Sequence, residues 1–127
     1  MARVTQLFIK AENKPGTLAT LCSELAKKAV NISAIIAAPD QVGGIRIVAA
    51  PHAAAKKVLD AMNLPYREEE AIAIRISDRP GALGKVTRKL ADAGVNVEYA
   101  YGSIVKGEQR ALVILGVSDL KKAEEVL

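Results

Sequence analysis

At 127 residues, half of them hydrophobic and a quarter charged, the chain has the balance of a soluble globular protein and the length of one ordinary domain or two very small ones. With 3% aromatic residues, no Trp and one Phe, its core must be built from Ile, Val, Leu and Ala. The net charge of +4 is confined to the first half, with eight Lys/Arg against four Asp/Glu up to residue 65 and ten against ten beyond it, which reads as scattered, solvated lysines and not as a nucleic-acid footprint.

The first residues, Met-Ala-Arg-Val-Thr-Gln, lead straight into a strand pattern without the basic head and apolar run of a secretory signal. No apolar stretch approaches the ~20 residues that span a bilayer. The one cysteine, Cys22, has no partner for an intrachain disulfide. A cytoplasmic location and no membrane association are therefore expected.

Leu7, Ile9 and Ala11 alternate as in a half-buried strand. Asn13-Lys14-Pro15-Gly16-Thr17-Leu18 follows, with Asn13 as the expected helix cap and Pro15 suited to a first turn. The helix presents Leu18, Leu21, Cys22, Leu25, Ala26 and Ala29 on one face, and Ala29 stands where a terminating Gly would serve. A strand from Asn31 to Ala38, a turn at Gly43-Gly44 and a strand from Ile45 to Ala49 make a hairpin. A second helix starts near Pro51-His52 with Ala55, Val58, Leu59 and Met62 together, and Tyr66 to Glu70 supplies a fourth strand.

At residue 71 the pattern begins again. Asp78-Arg79-Pro80-Gly81-Ala82-Leu83 lies 65 residues after Asn13–Leu18, and seven of the twenty positions in 13–32 and 78–97 are identical. Ile72, Ile74 and Ile76 form the strand; Leu83, Val86, Leu90 and Ala91 line the helix; Gly94 is its stop. Strands from Asn96 to Ile104 and Ala111 to Leu115 flank a turn at Gly107, and a last helix begins near Ser118-Asp119 with Leu120, Ala123 and Val126 or Leu127 inward. The expected architecture is α+β: two ferredoxin-like βαββαβ repeats, 1–70 and 71–127, each an antiparallel sheet with its helices on one face. The second repeat lacks its last strand, so something else, such as a strand from a second subunit, is expected at that edge.

Catalytic equipment is sparse. His52 reads as a partly exposed residue at a helix start, Cys22 as buried packing, and Glu68-Glu69-Glu70 as a solvated strand. One His and one Cys exclude a Cys/His metal cluster, and the acidic run lacks the spacing of a calcium loop. No catalytic residue, metal or cofactor is expected. The two Pro-Gly loops are more promising, because a helix start offers free N–H groups to a carboxylate or phosphate, with Lys14 and Arg79 at the rim. They also read simply as capped turns. In the second repeat Val97, Tyr99, Tyr101 and Ser103 share one side by the twofold strand period, with the tyrosines either lining a pocket or packing on a helix.

The paired strings Asp78–Leu83 with Ala93-Gly94-Val95-Asn96-Val97, and Asn13–Leu18 with Ala29-Val30-Asn31-Ile32, resemble the ACT domain signature. The resemblance covers nearly the whole chain and is nearest to free-standing tandem ACT proteins. It implies regulatory binding of an amino acid where two ACT domains meet, at the loop before the first helix and the start of the second strand. Carried over, it points to Asn13, Pro15, Gly16, Leu18, Asn31 and Ile32, and to Asp78, Pro80, Gly81, Ala82, Leu83, Asn96 and Val97. Asn13 in place of Asp and Ala29 in place of Gly depart from the signature in the first repeat.

The expected function is amino-acid sensing that modulates a separate metabolic enzyme in trans, by a homodimer. One form of this is a partner of acetohydroxyacid synthase like that enzyme's small regulatory subunit. The alternatives are an acylphosphatase-like hydrolase using Arg79 and Asn96, and RNA binding, for which the strands lack stacking aromatics.

Overall fold

A computed structural model describes residues 1–38, 43–103 and 107–127. Its elements are β1 (Ala2–Ile9), α1 (Thr17–Lys27), β2 (Asn31–Ala38), β3 (Gly44–Ala50), α2 (His52–Ala61), β4 (Tyr66–Ser77), α3 (Ala82–Asp92), β5 (Val97–Ser103), β6 (Arg110–Val117) and α4 (Leu120–Val126). This is the expected alternation twice over, although Ile104, the expected end of a strand, lies outside the described residues.

Two compact units contain these elements: Thr5–Glu69, and Glu70–Leu127 together with Met1–Val4. In the first unit the strands run β2-β3-β1 and then the opening residues of β4. β3 is antiparallel to both of its neighbours, with Leu7 opposite Ile47 and Ile35 opposite Ile47 from the other side. The Lys10 N–H donates to the Pro65 carbonyl at 3.0 Å, so β4 enters this unit where β1 leaves it. Leu7, Ile9, Ile45, Ile47 and Ala49 pack with Leu21 and Leu25 of α1 and with Ala55, Val58 and Leu59 of α2. One sheet face thus carries both helices.

The other unit repeats this arrangement as β5-β6-β4, with Ile72, Ile74, Val113 and Leu115 packed on Leu90 of α3 and Ala123 of α4. The strand next to β4 here is formed by Ala2–Val4. The place of a fourth strand is thus taken by the chain's own first residues. Arg3 forms surface ion pairs there, its guanidinium donating to Glu70 at 3.0 Å and to Glu124 of α4.

Helix ends show what the backbone requires. α1 and α3 are capped by Gly16 (φ 89°) and Gly81 (φ 87°), without a side-chain capping bond. Asn13 and Asp78, expected as caps, lie three residues too early. Thr17 N–H donates to Lys14 O and Ala82 N–H to Arg79 O, both at 3.3 Å, closing turns with Pro second and a left-handed Gly third, the type II pattern. At the other ends, Ala29 (φ 56°) and Gly94 (φ 75°) are both left-handed, and the Val30 and Val95 N–H groups bond back to Leu25 O and Leu90 O.

The helix faces are narrower than the sequence pattern suggested. Of the apolar stripe on α1, only Leu21 and Leu25 are buried; Cys22, expected to be buried, is partly exposed, and Ala26 and Ala29 are exposed. α1 rests on its sheet by two turns, and the rest of the stripe faces outward. On the sheet face away from the helices, Phe8 lies between two guanidinium groups, Arg46 at 4.4 Å and Arg67 at 4.5 Å from the ring centroid. Glu69 pairs with both arginines, at 2.8 and 3.0 Å. The acidic run is therefore more than a solvated strand: Glu68 bonds His52 and Lys56, Glu69 the two arginines, and Glu70 bonds Arg3.

Candidate functional site

In the unit that contains Glu70–Leu127, a cleft of about 480 Å³ opens between the start of α3 and the end of β5. Its floor is Ile76 of β4 with Ala111 and Val113 of β6, and Ile76 and Ala111 are direct cross-strand partners. Ala82 and Leu83 form one wall, Ala100 to Ser103 the other, and Ser77, Asp78 and Arg79 the rim. Leu83 is 44% exposed here, an apolar side chain left open to solvent.

Local chemistry places the rim. The Asp78 N–H donates to Gln109 O at 3.0 Å, and the Arg79 N–H to Ser77 O at 3.0 Å, so the loop is fastened through its backbone. The type II turn at Pro80-Gly81 then starts α3 with its first amides beside Ala82 and Leu83. An apolar floor, one carboxylate, one guanidinium and a helix N-terminus make a suitable receptor for a small zwitterion. An ammonium suits Asp78; a carboxylate suits Arg79 and the helix start, where dipole and free N–H groups favour anions.

The cleft brings together Asp78, Ala82 and Leu83 of the sequence candidates, with Pro80 and Gly81 shaping the turn behind them. Asn96 and Val97 stand apart from it. The Asn96 N–H donates to Ser118 Oγ and its carbonyl accepts from the Ser118 N–H, both at 2.9 Å, while Val97 pairs with Val117 and packs on the core. Five residues of strand, roughly 16 Å at 3.3 Å each, separate Val97 from Gly102. Arg79 lines the cleft and Asn96 does not, so the cleft lacks the pair that an acylphosphatase-like reaction would use.

In the other unit Asn13, Pro15 and Gly16 are exposed and Leu18 is 41% exposed, while Asn31 opens β2 opposite Ala50 and Ile32 packs against the core. Thr17, the counterpart of Ala82, has the one buried side-chain polar atom without a hydrogen-bond partner among the described residues.

The tyrosines correct an expectation. A register shift between Val97 and Tyr99 turns the strand over, so Val97 faces the helices while Tyr99 and Tyr101, opposite Gly116 and Ile114, face away. The same shift occurs between Ile32 and Ala34. Tyr101 nevertheless lines the cleft, one of the two roles the sequence left open for the tyrosines, together with Ser103 of the same row and with Ala100 and Gly102, which the sequence pattern did not single out. Their role follows from the pairing of β5 with β6, which is a long-range register.

A family profile described as an ACT domain pair matches residues 2–127. The chain belongs to the ACT domain-pair family. Among solved structures, this ACT pair is similar to protein BT0572 from Bacteroides thetaiotaomicron, with 30% identity, 98% of this chain and 86% of that one covered, and a TM-score of 0.89. The regulatory subunit of aspartate kinase from Thermus thermophilus, in ligand-free form, shares the fold at 19% identity, with 100% and 89% covered and a TM-score of 0.65. That from Thermus flavus does so at 18% identity, with 98% and 87% covered and a TM-score of 0.63. No curated protein matches the chain. Among the described residues, no helix is long and apolar enough to cross a membrane, and no cluster of His, Cys, Asp and Glu could hold a metal ion.

Proposed function

We propose that this ACT pair is a regulatory module without catalytic machinery, which binds a free amino acid and modulates a separate metabolic enzyme as a cytoplasmic homodimer. We read residues 1–70 as its first ACT repeat and 71–127 as its second. The carrying observation is the cleft of the second repeat, where an apolar floor lies under the Asp78 and Arg79 rim and the start of α3. The floor of Ile76, Ala111 and Val113 suits a small or branched aliphatic side chain. The two Thermus proteins are regulatory subunits of an enzyme, which supports action in trans.

Asn13, Pro15, Gly16, Leu18, Asn31 and Ile32 in the first repeat, and Pro80, Gly81, Asn96 and Val97 in the second, are proposed to complete the binding surface where two ACT domains meet. A ligand that binds one arrangement of the modules better than another shifts the population toward it, and the partner enzyme reads that shift. Thermal unfolding in the presence of each of the twenty amino acids tests the proposal. At about 100 times Kd a ligand adds roughly 2.7 kcal/mol to the folded state, a rise of several degrees. No shift with any of them contradicts it.

A further inference from the structure

We propose that Ala100 sets the size of the apolar group that the cleft of the second repeat accepts, and so fits it to a branched aliphatic amino acid. This rests on the reading of the cleft as an amino-acid site and adds the residue that selects among its ligands.

The duplication supplies the comparison. β2 and β5 align at the offset of 65, and each has its register shift at the same place, between Ile32 and Ala34 and between Val97 and Tyr99. Ala100 therefore occupies the position of Ile35. Directly opposed residues of an antiparallel pair project to one face. Ala100 lies opposite Leu115 and Ile35 opposite Ile47, and both partners are buried in the cores beneath the helices. Both side chains thus point toward the helix side of their sheet.

On the facing wall Leu83 of α3 corresponds to Leu18 of α1, and the two are similarly open, at 44% and 41% exposed. The helix walls match here and the strand walls do not. Where the second repeat has a methyl group, the first has the sec-butyl group of Ile35. The space in the second repeat is therefore cut out of the strand wall, opposite Leu83 and above Ile76, Ala111 and Val113. An aliphatic group placed there takes its own surface and that of Leu83 out of water.

The other lining residues have less freedom to vary. Ala111 and Val113 are buried in the core. Gly102 is the second small residue of the strand wall, but a Cβ there would stand 2.6 Å from the Leu112 carbonyl oxygen and 3.0 Å from a Val113 methyl. Its smallness serves the close approach of β5 to β6. Ala100 is exposed, and the same strand register in the first repeat holds an isoleucine at its place. Ala100 is thus the lining position where side-chain size can change without disturbing the fold.

The test is calorimetric titration of the wild type, Ala100→Ile and Ala100→Gly with glycine, alanine, valine, leucine and isoleucine. The wild type is expected to bind the branched amino acids at least about tenfold more tightly than glycine, the worth of a methylene in an apolar pocket. Ala100→Ile is expected to weaken leucine about 30-fold or more and glycine by less than about threefold. Ala100→Gly shifts the preference toward leucine over valine. A variant that fails to fold loses all five ligands alike, so the order of preference is the readout, and circular dichroism reports folding. An order unchanged in both variants, or a wild type that binds glycine as tightly as leucine, would overturn the proposal.

An uncharged probe, 3-methylbutan-1-ol, carries the isobutyl group of leucine without its charges. It is expected to shift the methyl resonances of Leu83 and Val113 in the wild type and to leave them unmoved in Ala100→Ile. That result without binding of any amino acid would sink the amino-acid reading and leave Ala100 as the residue that sizes the cleft. Shifts undiminished in Ala100→Ile would overturn the role of Ala100. No response of the wild type to the alcohol or to any of the five amino acids would overturn both.

Discussion

The ring of Tyr99 lies across Gly116, so close that a Cβ on that glycine would stand 2.1 Å from the ring. The two are cross-strand partners in β5 and β6. At the corresponding place in the other repeat the pair is Ala34 and Val48. Large against small has become small against large, which conserves the filled volume while reversing its source. Gly116→Val is therefore expected to destabilise the chain by about 1–3 kcal/mol through overpacking. Combining it with Tyr99→Ala, which rebuilds the pair of the first repeat, should recover most of that loss. Urea unfolding of both single variants and the double variant measures the coupling.

Ala29 holds a left-handed conformation that Gly94 fills without strain in the second repeat. An L-residue with a Cβ loses roughly 1 kcal/mol or more there. Ala29→Gly is expected to stabilise the protein by about 1 kcal/mol, and Gly94→Ala to destabilise it by a similar amount. Chemical denaturation checks both signs, and equal effects of the same sign would contradict the reading.

Residues Met1–Val4 belong to the same compact unit as Glu70–Leu127. Removing residues 1–4 is expected to lower the stability of the Glu70–Leu127 unit and to speed amide exchange along β4 beyond Glu70, measured residue by residue. Arg3→Ala alone should change little, because its partners Glu70 and Glu124 are at the surface and screened by solvent.

Two carboxylates are held below the ordinary range. Hydrogen bonds from His52 and then Lys56 lower Glu68, and a hydrogen bond from Lys14 lowers Glu12. Because the folded pKa is the depressed one, their contribution is present above the unfolded value near 4.5 and is lost as pH falls through the folded value. Stability measured by thermal melts should decline below that pH, less steeply in Glu68→Gln, and added salt should reduce the difference because both groups are exposed.

Much of the fold was legible in the sequence because duplication tests itself: the Pro-Gly loop and the first helix read in one repeat reappear 65 residues on. The strands, hairpins and inward faces of α2 and α4 follow directly from periodicity, as in Ala55, Val58 and Leu59. Three features were not legible. Asn13 and Asp78 looked like caps because they are good ones elsewhere, but the left-handed glycines after Pro15 and Pro80 delay each helix. Tyr99 and Tyr101 changed face because one extra residue at a bulge is invisible to a twofold count. The cleft floor at Ile76 and Ala111 depends on strand pairing across more than thirty residues, which no local pattern encodes.

Asp78 is the point where ligand chemistry and fold stability separate most cleanly, since its side chain is exposed and its backbone carries the loop bond to Gln109. Asp78→Asn gives the second repeat the residue that Asn13 supplies in the first. It is expected to leave the unliganded melting temperature unchanged and to weaken amino-acid binding roughly 10- to 100-fold, the worth of one charged hydrogen bond.

Titration calorimetry with the amino acid that gives the largest thermal shift, on wild type and Asp78→Asn, tests the central claim most directly. Saturable binding by the wild type, weakened by at least tenfold in Asp78→Asn, is the predicted result. Binding of equal strength in both proteins, or no binding of any amino acid by the wild type, would contradict a site in the cleft of the second repeat.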